Sequence, residues 1–105
     1  MSKIKCKIPS ELRSVANKLV DKGYQVNNIP IYTIHKYSFN IYNDIGYGLM
    51  ILFAKSLGKT NWHCSMYKDH IIIYRDNHSQ KSLEEDVQEL EECIDNIPNR
   101  NAVVV

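Results

Sequence analysis

Residues 61–78 read NWHCSMYKDHIIIYRDNH, and the reading of this stretch decides the fold. Residues 61–67 and 70–75 are two short runs rich in aromatic and β-branched residues, split by Lys68–Asp69. Such a pattern predicts a β-hairpin turning at 68–69. In that register Tyr67 pairs with His70, Ser65 with Ile72 and His63 with Tyr74, while Met66 pairs with Ile71, Cys64 with Ile73 and Trp62 with Arg75. Side chains alternate between the faces of a strand. One face therefore collects Trp62, Cys64, Met66, Ile71 and Ile73, an apolar core face. The other collects His63, Tyr67, His70 and Tyr74. His63 and Cys64 point to opposite faces, so their adjacency does not make a catalytic dyad, and Cys64 is expected to be inert packing.

The flanking segments supply helices. Leu12, Val15, Ala16, Leu19 and Val20 recur at helical spacing, with Ser10 as the expected N-cap, Lys18 and Lys22 near the C-terminus and Gly23 just beyond. Ser82-Leu83-Glu84-Glu85 reads as a capping box, followed by a stripe of Leu83, Val87, Leu90, Ile94 and Ile97 with acidic residues elsewhere and Pro98 beyond its end. Lys3 to Ile8 alternates lysine with Ile4, Cys6 and Ile8 and reads as a half-buried strand. Residues 24–30 read as a loop, and 31–42 as one bent or two short strands, with a bulge near His35–Lys36. The tail 101–105 is a last strand or an unstructured end.

Two readings of 44–58 stand. A helix capped by Asp44 and ended by Gly58 buries Ile45, Leu49, Leu52, Phe53, Ser56 and Leu57; a strand GLMILFAK fits the same residues, because Gly46 and Gly48 each cost a helix about 1 kcal/mol relative to alanine. The ending Ala54–Gly58 favours the helix. A strand there would extend the sheet and bury the His/Tyr face.

Together these elements predict a single α+β domain over 1–105, an antiparallel sheet with two or three helices packed on one face. A strand–helix–strand beginning and a helix–strand ending resemble a ferredoxin-like βαββαβ layout, as an analogy of fold alone.

Composition narrows the function. The protein has 105 residues and a net charge of +1, so no overall field recruits nucleic acid. No apolar run is long enough to span a bilayer, residues 1–12 carry no apolar signal core, and three cysteines make no disulfide framework. The expected setting is cytoplasmic, without membrane attachment. The charge is uneven: residues 1–43 carry seven Lys and Arg against two acids, whereas 82–105 carry seven acids against Arg100. A basic body and an acidic helix either pair within the fold or face different partners.

The motifs for chemistry are weak. His63, His70 and His78 match no zinc spacing, so no metal or other cofactor is expected. Leu57-Gly58-Lys59-Thr60 imitates the end of a phosphate-binding loop, but Phe53 stands where the pattern needs glycine; a helix end and a polar turn fit better. No paired carboxylates, Gly-x-Ser-x-Gly or Cys-His-Asp set is present, and no motif identifies a family. The expected role is a non-enzymatic binding protein, an inhibitor or regulator that docks on a protein partner, of a size and composition that suit a phage or mobile element. Its expected surfaces are the His63/Tyr67/His70/Tyr74 face and the acidic residues Glu85, Glu89 and Glu92. The alternative is an RNA- or single-stranded-DNA-binding module using Lys3, Lys5, Lys7, Tyr32 and Tyr42. A third reading, a small metal- or cysteine-dependent enzyme, requires bound metal or a reactive thiol. Oligomeric state is not encoded in any of these patterns.

Overall fold

The structure is a computed structural model that describes residues 8–27, 37–42, 47–68 and 70–100. The expected strand at 3–8, Tyr32, the expected bulge at 35–36, the expected cap Asp44 and the tail 101–105 lie outside the described residues, save Ile8, which packs against the core.

The elements run α1 (Arg13–Asp21), β1 (Val26–Asn27), β2 (Ser38–Tyr42), α2 (Tyr47–Ser56), β3 (Trp62–Met66), β4 (His70–Arg75) and α3 (Leu83–Asp95). The strands form one antiparallel sheet in the order β1-β2-β4-β3. Phe39 and Ile41 of β2, Ile71 and Ile73 of β4 and Trp62 of β3 share one face. That face forms a single buried cluster with Leu12, Val15 and Leu19 from the first helical segment, Met50, Phe53 and Leu57 around α2, and Leu90, Ile94 and Ile97 around α3. All three helices thus cover one face of the sheet, the α+β architecture expected.

The strand order is not ferredoxin-like among the described residues. In a βαββαβ sheet the strand that precedes the second helix has the strand before the first helix as a neighbour, whereas here β2, which precedes α2, lies between β1, which follows α1, and β4. After α2 the polypeptide returns so that β4, not β3, lies beside β2. The reason lies in composition: His70–Arg75 contains three consecutive isoleucines and suits a central position, while β3 carries exposed His63 and Met66 and takes the edge.

Local chemistry explains the helix boundaries. Ser10 begins a 3-10 turn (Ser10–Leu12) and does not cap α1 through its side chain; Pro9 and Leu12 occupy the cap positions. The fixed φ of Pro9 leads into the tight turn that Leu12 N–H closes onto Pro9 C=O. Leu12, Val15, Ala16 and Leu19 are buried as the spacing predicts, but Val20 is 54% exposed. The buried arc is narrower than the apolar stripe. At the other end Tyr24 N–H donates to Leu19 C=O and Gly23 N–H to Val20 C=O, a Schellman closure that requires the φ of +97° at Gly23.

Residues 47–56 are helical, which settles the ambiguity of that stretch. The buried phase is Met50, Phe53 and Leu57; Leu52, expected inside, is partly exposed. The end of α2 is the polar turn expected for LGKT: Thr60 Oγ1 donates to Leu57 C=O at 2.8 Å and accepts from Trp62 N–H at 3.1 Å, binding the helix end to the start of β3. Gly48 lies exposed in the first turn, where an added Cβ meets nothing within 4 Å. Gly48→Ala is therefore expected to stabilise the fold by about 0.5 kcal/mol, mainly by restricting the unfolded state, as a rise in the urea midpoint at unchanged slope.

The expected loop at 24–30 contains the two-residue edge strand β1, whose Val26 pairs with Ile41 and Asn27 with Asn40. Gln25 and Asn27 have little strand propensity, and the pairing with β2 imposes the extended conformation around Val26. Ser38 and Asn40, which alternate with Phe39 and Ile41 along β2, are buried as well.

Candidate functional site

The hairpin has the register expected from its sequence, without a bulge, from Trp62–Arg75 to Met66–Ile71, and Tyr67 N–H donates to His70 C=O at 2.8 Å. The second face of the sheet therefore reads in three rows. Ser38, Tyr74 and His63 form one; Asn40, Ile72 and Ser65 the next; Tyr42, His70 and Tyr67 the last, with the Tyr67–His70 closure. His63 and Tyr74 bring their rings to 5.5 Å, and Tyr67 and His70 stack at 4.9 Å with 13° between planes. Exposure rises across the sheet. Ser38 and Asn40 are buried, Tyr42, His70 and Tyr74 are half-buried, and His63 and Tyr67 are exposed, Tyr67 by 51%.

At one end of this face His63 Nε2 lies 3.1 Å from Asp76 Oδ2, and His78 N–H donates to Asp76 Oδ1 at 2.8 Å. The His78 amide, then the His63 ring, hold the Asp76 carboxyl below the usual carboxylate range. A shallow cavity of about 190 Å³ opens beside Asp76, lined also by Tyr37, Arg75, Asn77 and Ser79. Asp76 thus gives His63 a fixed orientation. No group of three or more His, Cys, Asp or Glu capable of holding a metal ion occurs among the described residues.

The acidic helix is arranged differently from the expectation. Asp86 is not a surface charge; it is fully buried on the core side of α3. It accepts from Arg75 Nε at 2.7 Å, Ser79 Oγ at 2.6 Å and Asn61 Nδ2 at 3.0 Å, and its backbone carbonyl accepts from Trp62 Nε1 at 2.7 Å. Burial pushes the Asp86 carboxyl up, but the bonds from Ser79, Asn61 and Arg75 outweigh it and the net shift is downward. The neighbouring acids are largely engaged too. Glu85 closes the capping box with Ser82, Lys81 pairs with Glu89, Ser14 donates to Glu91, and Lys18 meets Asp95 at 2.9 Å. Of the docking acids expected from sequence, Glu85 and Glu89 serve the fold, and Glu92 remains exposed. From the basic segment 1–43 Lys18 pairs with the acidic helix, and Arg75 and Lys81 pair with it from the hairpin side. The helix also lies on the sheet face opposite the His/Tyr rows, so the two expected surfaces are separate.

Among the alternative nucleic-acid residues, Tyr42 is half-buried at the end of β2, opposite His70; Lys3, Lys5, Lys7 and Tyr32 lie outside the described residues. Cys64 packs against the core, and Cys93 directs its thiol to Ser56 C=O at 3.2 Å. Burial pushes both thiols up, which is contrary to what a nucleophilic cysteine needs. No described helix is long and apolar enough to cross a membrane. The Asp86 network went unread in the sequence, although Arg75 on the apolar face of the hairpin signalled that a buried acid must meet it.

Comparison with family models, with curated proteins and with solved structures returned no match.

Proposed function

We propose that this protein is a non-enzymatic binding module that docks on a protein partner through the His/Tyr face of the β3–β4 hairpin. The observation that carries the reading is the pair of ring contacts, His63–Tyr74 and Tyr67–His70, held on a bulge-free hairpin with its outer members exposed. Amphipathic rings fixed in place offer contact area at little entropic cost, the property of interface anchors. An inhibitor or regulator in the cytoplasm of its host, encoded by a phage or mobile element, is the setting proposed.

A second reading rests on the row Tyr42–His70–Tyr67, since rings on a sheet face, here with Tyr67 exposed, also stack on bases.

Affinity capture from source-cell lysate, with and without nuclease and at two salt concentrations, tests both. The expected result is one protein retained after nuclease treatment and lost, by about tenfold or more, from a Tyr67→Ala/His63→Ala variant that keeps its unfolding midpoint. Recovery of nucleic acid that falls steeply with salt promotes the second reading. Partner retention by the double variant removes the face from the proposal.

A further inference from the structure

Among the described residues β3 ends the sheet, and its hydrogen-bonding pattern can be followed residue by residue. Asp76 N–H donates to Asn61 C=O at 2.7 Å and Tyr67 N–H to His70 C=O at 2.8 Å. These closures fix the alternation between them: His63 and Ser65 turn their backbone groups toward β4, and Trp62, Cys64 and Met66 turn theirs to the open edge. Thr60 Oγ1 takes the Trp62 amide. No described residue bonds the outward backbone groups of Cys64 and Met66. The strand, WHCSM, contains no lysine, proline or bulge of the sort that usually blunts an edge.

A second feature lies beside it. Helix α2 packs against β3 and is apolar around most of its circumference, YGLMILFAKS. Such a helix belongs inside a protein, yet Ile51 and Leu52 are each 37% exposed, and Met66 at the end of β3 is 44% exposed.

We propose that β3 pairs antiparallel with β3 of a second copy of this protein about a two-fold axis at Cys64, joining two sheets into one. Cys64 exchanges backbone hydrogen bonds with Cys64 of the second copy. Met66 N–H donates to Trp62 C=O across the axis, and His63 stands opposite Ser65. The strand carries no formal charge, so it meets itself without like-charge repulsion. The axis of such a pair stands perpendicular to the sheet and leaves both helix layers on the same side, bringing α2 toward its counterpart. One symmetric contact then covers the open edge and the exposed Ile51 and Leu52 together. A foreign strand covers the edge alone and leaves those side chains in water, which is why a second copy is the occupant. The inference is independent of the His/Tyr docking face, which the pairing leaves open.

The test is sedimentation velocity of the full-length protein over a concentration series, with amide hydrogen exchange read at single residues. The expected result is a reversible dimer in which exchange at Cys64 and Met66 slows at least tenfold as protein concentration rises. Met66→Pro removes only an outward N–H, and Met66→Lys places a charge at the edge; each is expected to raise the dimer Kd tenfold or more. Leu52→Lys, distant from the strand pairing, is expected to weaken the same dimer. A protein that stays monomeric into the millimolar range overturns the proposal. So does a dimer whose Cys64 and Met66 amides exchange at the monomer rate, because it uses another surface.

Discussion

Asp86→Ala is expected to cost about 3 kcal/mol of unfolding free energy, within the range of about 3–5 kcal/mol for breaking a buried pair by removing one partner. Asp86 is fully buried, and the side chain of Arg75 is only 18% exposed. Without the carboxylate, Arg75 keeps its bond to Lys81 C=O at 2.8 Å but loses its counter-charge, and Ser79 and Asn61 lose their acceptor. A 105-residue domain has a total stability of about 5–15 kcal/mol, so this one residue accounts for a large share. Trp62, the only tryptophan, reports the transition by its fluorescence in urea. A companion variant, Asp86→Leu with Arg75→Met, is expected to recover much of the loss, because a packed apolar pair carries no desolvation cost. If the single variant costs under about 1 kcal/mol, the network contributes little.

The same residue sets an acid dependence. The Asp86 carboxyl lies below its ordinary value of 3.8 in the folded protein. A depressed pKa contributes stability that is fully present above the unfolded-state value and disappears as pH falls through the folded-state value. Wild-type stability is therefore expected to decline from about pH 4 downward, and the Asp86→Leu/Arg75→Met variant to decline less steeply over the same window.

How much of this was legible in the sequence depends on which force decided each element. Period-2 alternation fixed the hairpin register, because one slip would turn Ile71 and Ile73 to solvent. The capping box fixed the start of α3, because both of its hydrogen bonds are local. Where distant contacts decide, the pattern was silent or misleading. Val20 and Leu52 are apolar by composition but fall outside the arcs that the sheet covers. Gln25–Asn27 is extended because β2 holds it. Asp86 has the composition of its acidic neighbours, but its place three residues after Leu83 and four before Leu90 puts it on the buried stripe, where Arg75 of the hairpin meets it. For the site, alternation placed His63, Tyr67, His70 and Tyr74 together, whereas the engagement of Glu85 and Glu89 within the fold follows from where Ser82 and Lys81 lie.

The second large effect is expected at Trp62. Trp62→Ala removes the largest fully buried side chain and is expected to cost about 3–5 kcal/mol. Trp62→Phe keeps much of the packing and loses the bond to Asp86 C=O, at about 1–3 kcal/mol for a buried acceptor left unpaired. Far-UV circular dichroism replaces fluorescence as the probe in both variants. The informative quantity is the coupling with Asp86. Asn61 and Trp62, adjacent in sequence at the start of β3, and Arg75, opposite Trp62 on the next strand, all converge on that residue. One residue of α3 thus fastens the helix to the hairpin by side chain and backbone together. Once either member is removed, the joint between helix and hairpin loosens, and the second substitution has less left to disrupt. The Trp62→Ala/Asp86→Ala double variant, measured beside the two singles in a Gly48→Ala-stabilised background, is expected to fall short of additivity by about 0.5–3 kcal/mol. Strict additivity would mean that the tryptophan acts through the apolar cluster alone and that the Asp86 network holds Arg75 without locking the helix.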